Sequence, residues 1–169
     1  MVRAELVHPF VESIHELFET MLGMEARVGE VIEPVPEEQG APVIIGVIGM
    51  SGTAKGTVAA KLPVKTALKL VGRMVGTEFE TLDRSIVDGI GEFVNILAGI
   101  AKKRYSGHKI SLSLPTVVRG DLFILNEKGQ GTIWSEIPVE SECGPFRLAV
   151  GLSSSFAQKK EQVNEGVGS

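Results

Sequence analysis

Apolar side chains return at helical spacing near the start of the chain, where Phe10, Ile14, Leu17, Phe18, Met21 and Leu22 fall on one stripe. The spacing predicts a first helix over Pro9–Leu22, ended by Gly23. Val28–Val35 alternates acids with apolar residues and reads as a short strand; PVPEEQGAP, with three prolines and a glycine, reads as a loop. Val43–Met50 is a β-branched apolar run, SGTAKGT supplies turn residues, and Thr57–Leu62 alternates, so the two runs predict a hairpin. Pro63 suits the first turn of a second helix that buries Ala67, Leu68, Leu70, Val71 and Met74. A third helix is predicted over Leu82–Tyr105. Thr81 or Asp83 is available to cap it, and Lys102, Lys103 and Arg104 sit in its last turn, where the dipole favours cations. Lys109–Arg119 predicts a strand, and Thr132–Ser141 with Phe146–Leu152 a second hairpin around ECGP. The LFIL of GDLFILNEKGQGT fits a strand or a helical turn equally, and the polar tail from Gln158 to Ser169 is expected to fray.

The pattern repeats. VESIHELFETMLG at 11–23 matches VDGIGEFVNILAG at 87–99 with an offset of 76 residues, and Val11/Val87, Ile14/Ile90, Glu16/Glu92 and Gly23/Gly99 are identical. Any two amphipathic helices share apolar columns, but each copy here is also followed by a strand and then a hairpin. A duplicated helix–strand–hairpin unit implies an α+β fold with a pseudo-two-fold repeat, an antiparallel-rich sheet and long helices packed on it. A length of 169 residues fits one such domain, placed at 1–156, with a polar C-terminal tail at 157–169.

Composition narrows the function classes. A net charge of −4, with no basic stripe and only 5% aromatic residues, argues against nucleic acid and anionic membrane as partners. One cysteine, Cys143, excludes an internal disulfide and a Cys-rich zinc site. No apolar run is long enough for a membrane span, and the acids in the N-terminal stretch do not suit a secretory signal, so a cytoplasmic setting is expected.

The third helix carries the candidate chemistry. On a helical wheel Ile86, Ile90, Phe93, Val94, Leu97 and Ala101 share the core face, and Asp88, Glu92, Asn95 and Gly99 oppose it. Glu92 and Asn95, three residues apart, are neighbours on that surface. Gly89, Gly91 and Gly99 each cost about 1 kcal/mol of helix propensity against alanine, and Asn95 is a mediocre helix former with no capping job there. Bare glycine beside an acid and an amide permits another backbone to approach. Packing inside the protein, with Glu92 merely solvated, is the competing reading.

DGIGEFVNILAG, with Glu92-x-x-Asn95 in a long second-half helix, resembles the CheC/CheX/FliY family of chemotaxis phosphatases, and PFVESIHELFETMLG is similar to the opening helix of its CheX branch. The resemblance extends to about Phe156. It implies a phosphatase of the aspartyl phosphate on a CheY-like response regulator. In that role Asn95 would hold the attacking water in line and Glu92 would pair with a lysine near the phosphate. It further implies a divalent metal in the partner's acidic pocket, no cofactor in this chain, and a homodimer. An acyl phosphate reacts through a loose transition state, so positioning a water suffices, and an amide can both donate to and accept from that water. Gly91 and Gly99 are expected to let the helix enter the partner's site. In the first copy Glu16 matches Glu92, but Glu19 occupies the Asn95 column, so one working site is expected, as in CheX rather than CheC. A receiver-binding module that only sequesters its partner has the same patch, and a stand-alone oligomerising domain is a third alternative.

Other motifs carry less. GMSGTAKGT lacks the glycine directly before Lys-Ser/Thr that a phosphate loop requires, and it lies between strands. His8, His15 and His108 are scattered, Cys143 has no flanking base, and Ser153–Ser155 has no nucleophile-elbow frame.

Overall fold

The computed structural model describes residues 4–35, 42–120 and 131–166. The chain opens with α1 (Ala4–Leu17), which passes into a single π turn at Phe18–Leu22 and stops at Gly23 in the left-handed conformation. It starts earlier than Pro9 because Leu6 and Val7 are buried and draw the preceding turn onto the core. β1 is short (Arg27–Val28); the rest of the predicted 28–35 strand holds a single bridge, Ile32 to Glu136. The predicted hairpin forms as β2 (Val43–Gly52) and β3 (Gly56–Pro63), followed by α2 (Val64–Val75). α3 spans Arg84–Arg104, and of the two candidate caps Asp83 does the work, accepting from Ile86 N at 3.2 Å. The expected Lys109–Arg119 strand is broken into β4 (Ile110–Leu112) and β5 (Thr116–Gly120), and the second hairpin is β6 (Thr132–Glu140) with β7 (Phe146–Ser153). LFIL lies outside the described residues. In place of a frayed tail, α4 (Ser154–Gly166) continues from β7, anchored by buried Phe156 and Ala157.

Among the described residues seven strands form one antiparallel sheet in the order β1-β6-β7-β3-β2-β4, with β5 also on β2. Its centre is the β3–β7 pair, where Ala59 stands opposite Ala149. Each hairpin extends outward from that pair, and each lone strand crosses over: β1 pairs with the second hairpin and β4/β5 with the first. This is the duplication inferred from the sequence, with the two units exchanging edge strands around a pseudo-two-fold axis.

Alternation along the strands divides the sheet's two faces. Ile44, Ile48, Val58, Leu62, Leu148 and Val150 join α1, α2 and α3 in one large core, in which Phe18, Phe93 and Phe146 form an aromatic cluster with centroids 5.7–6.4 Å apart. The opposite face holds a smaller cluster of Val43, Ile45, Ala59 and Ala149 beside Trp134. Glu136, fully buried, accepts from Lys61 at 3.4 Å, Arg147 at 3.2 Å and the Val35 amide at 2.9 Å. A buried carboxylate requires such partners.

Candidate functional site

The rotation of α3 is fixed by what it buries. Ile86, Ile90, Phe93, Val94, Leu97, Ala98 and Ala101 are all inaccessible to solvent. Gly46 of β2 removes the side chain that would otherwise hold α3 off the sheet, since a Cβ there would lie 3.1 Å from Ile90 Cγ2. Asp88 and Glu92 are consequently exposed, and Asn95 and Gly99 half-buried, on one outward strip. Neither Glu92 nor Asn95 enters a side-chain hydrogen bond or ion pair among the described residues. Glu92 stands proud of the surface while Asn95 is set deeper beside it, an arrangement in which the acid reaches outward and the amide is held close to the helix.

The three helix glycines separate into different jobs. A Cβ on Gly89 would strike Val71 Cγ1 at 2.5 Å, so this glycine seats α2 against α3. Gly91 is buried, and a Cβ there would touch Pro115 and Val117 at 3.6 Å. The expectation that Gly91 opens toward a partner is therefore corrected: it faces the protein's own β5. At Gly99 a Cβ would meet nothing within 4 Å, which leaves that position open beside Asn95.

The first copy is built differently. Glu16 is gripped by Arg104 Nη2 at 2.6 Å, and Glu12 by Nη1 at 3.2 Å. The hydrogen bond that Arg104 donates to Glu16 is the largest influence holding Arg104's pKa above its ordinary value. Glu19 is exposed but lies in the π turn rather than on regular α-helix. Arg104, expected from its place in the last turn to favour the helix dipole, is instead drawn into the seam with α1; the signal for this in the sequence is the Glu12/Glu16 pair at i,i+4 on the facing helix.

The strip lies on the outward face of α3. Two concavities of the molecule lie elsewhere, one between Met24, Leu68, Arg73, Phe79 and Cys143, the other between Val28, Val43, Lys61 and Phe146. Burial pushes the Cys143 thiol's pKa up, which suits an inert side chain rather than a nucleophile. Among the described residues no three His, Cys, Asp or Glu side chains gather as metal ligands, and no helix is long and apolar enough to cross a membrane.

Comparison with known proteins bears on the same helix. The family model described as chemotaxis phosphatase CheX matches residues 44–137, which include all of α3. A relative from Thermotoga maritima named CheY-P phosphatase CheX is 31% identical over 120 residues, covering 69% of this chain and 77% of the relative. The crystal structure of chemotaxis protein CheX from Vibrio vulnificus superposes with a TM-score of 0.76 at 25% identity, covering 88% of this chain and 99% of that one. The CheX chain of the CheX–CheY–BeF3–Mg complex from Borrelia burgdorferi has the same fold, with a TM-score of 0.68 at 17% identity over 89% of this chain and 98% of that one.

Proposed function

The chain belongs to the CheX family of chemotaxis phosphatases, and from that premise we propose that it hydrolyses the aspartyl phosphate of a CheY-like response regulator with Glu92 and Asn95. The observation that carries the assignment of residues is the contrast within the repeat. Glu16 is consumed by Arg104, whereas Glu92 and Asn95 face outward, untied to any described side chain.

An outward helix face does not enclose a small molecule, but it can enter a shallow pocket on another protein. The substrate's acyl phosphate is already activated, and its loose transition state needs a water held in line more than it needs a strong base. The Asn95 carboxamide is suited to this: its oxygen accepts a hydrogen bond from the water while its NH2 can donate one to the water's oxygen. Glu92, one turn away, pairs with a lysine of the partner and fixes how the helix enters. Gly99 leaves room beside the amide for the partner's backbone. The divalent cation belongs to the partner's acidic pocket, and this chain supplies neither metal nor cofactor. The working protein is a cytoplasmic homodimer, which sedimentation at twice the 18.1 kDa chain mass would support.

The deciding experiment compares phosphate release from an acyl-phosphorylated CheY-type receiver by the wild type and Asn95→Ala. At least a tenfold loss of turnover with receiver binding retained is expected. Unchanged turnover would place the site elsewhere, and tight wild-type binding without acceleration would make the protein a sequestering module.

A further inference from the structure

The break between β4 and β5 has a defined geometry. Leu112 pairs with Met50 and Thr116 with Val47 on the same strand, β2. Ser113 is bonded to Gly49 twice, its amide donating to the carbonyl at 2.9 Å and its hydroxyl accepting from the amide at 2.9 Å. Leu114 and Pro115 are left facing Ile48 alone, two residues against one, which is a β-bulge. Such a bulge re-aims a side chain. Here it ejects Leu114, which at 89% exposure is the most exposed large apolar residue among those described.

Its position relative to α3 is also fixed. Pro115 and Val117 pack on Gly91, so the bulge abuts the flank of the helix that carries Asn95 one turn further on. The chain reverses after Arg104, so β4 and β5 run back along α3, and the residue preceding Pro115 lies toward the Asn95 level. Val87, one turn before Gly91, adds a second exposed apolar side chain at 41% on that same flank. An exposed leucine alone means little. A leucine held out by a pinned bulge whose next residue, Pro115, packs on Gly91 one turn before Asn95, is a built feature.

We propose that Leu114, seconded by Val87, is an apolar anchor by which the phosphorylated receiver domain docks beside the catalytic strip. This rests on the phosphatase reading above. The occupant follows from continuity: any receiver that brings its phosphoaspartate to Asn95 must cover surface within about one helical turn, roughly 5 Å along α3, and Leu114 borders that surface. An anchor of this kind acts on binding rather than on chemistry, so it belongs in KM and Kd rather than kcat.

The test uses the full-length protein with Leu114→Ala and Leu114→Asp. Binding is measured to a CheY-type receiver loaded with beryllofluoride and Mg2+, turnover on the acyl-phosphorylated receiver, and oligomeric state by sedimentation. The expected result is a rise of at least fivefold in both Kd and KM for Leu114→Ala, a larger rise for Leu114→Asp, and kcat within twofold. Thermal unfolding should be unchanged, because the side chain touches little of its own subunit. KM and Kd within twofold of an active wild type overturn the anchor and leave the phosphatase reading standing. A change of oligomeric state with receiver binding intact also overturns it, assigning Leu114 to self-association. A wild type that neither binds nor dephosphorylates the receiver removes both.

Discussion

Arg104, in the last turn of α3, closes on Glu16 of α1 at 2.6 Å, so the residue that matches Glu92 in the first half of the repeat has become part of the helix–helix seam. The same duplication has thus given one acid to packing and left the other at the surface. The neighbouring column differs as well, because Glu19 sits in the π turn and is displaced from where Asn95 stands on a regular helix. The two copies therefore differ twice, in the side chain of that column and in the type of helix that carries it.

It follows that restoring the side chain is insufficient. In an Asn95→Ala background, Glu19→Asn is expected to leave phosphate release at the Asn95→Ala level, because Glu16 stays engaged by Arg104 and the π turn persists. Recovery of turnover in that double variant would show that the first copy retains a usable geometry.

The glycines of α3 give opposite expectations for one substitution. At Gly89 an alanine Cβ would overlap Val71; overpacking of about 1–3 kcal/mol outweighs the roughly 1 kcal/mol gain in helix propensity, so Gly89→Ala is expected to lower the urea midpoint. Gly99→Ala meets no atom and should raise stability by up to about 1 kcal/mol. Gly99→Trp should keep the fold but depress turnover on a phosphorylated receiver, because it fills the space beside Asn95. A Gly99→Trp protein with full turnover would mean that no partner approaches there.

Glu92 is expected to act through charge. If it meets a lysine of the receiver, Glu92→Gln raises KM several-fold and flattens the dependence of KM on salt, since an exposed ion pair is screened over about 8 Å at physiological ionic strength. Steady-state turnover between low and moderate salt measures this. Equal salt slopes for the wild type and Glu92→Gln would remove the pairing role.

Much of this was legible in the chain. The apolar stripe of α3, a cap at Thr81 or Asp83, and both hairpins follow from spacing, and the duplicated order of elements points to the pseudo-two-fold sheet. Four things were not legible, each for a physical reason. The π turn adds one residue without breaking the apolar pattern, since Leu17, Phe18 and Leu22 are buried in either register. The bulge at Leu114 lies in a run that reads as continuous strand, and only the fixed pairing with β2 on both sides forces a residue out. The three helix glycines look alike on a wheel, and only the neighbours decide that Gly89 meets α2, Gly91 meets β5 and Gly99 meets nothing. α4 escaped because its two anchoring residues, Phe156 and Ala157, are followed by a polar stretch with no periodic apolar signal.

The seam between the N-terminal helix and α3 carries a pH signature of its own. Tyr105, the C-terminal cap residue of α3, is buried, and its hydroxyl donates to the Leu6 carbonyl at 2.7 Å. Burial raises the phenol's pKa above its ordinary value of 10.0. The sign follows from proton counting: above that ordinary value the unfolded chain releases the proton while the native state retains it, so stability falls as pH rises. The contribution is fully present below the unfolded pKa and is lost as pH climbs toward the folded one. Tyr105→Phe is expected to cost about 1 kcal/mol at neutral pH through the lost hydrogen bond. It also removes the ionisable group, so the wild type's advantage should shrink above about pH 10. Urea midpoints for both proteins from neutral to alkaline pH test this. A stability gap that stays constant across that range would mean that Tyr105 is not the group that titrates on unfolding.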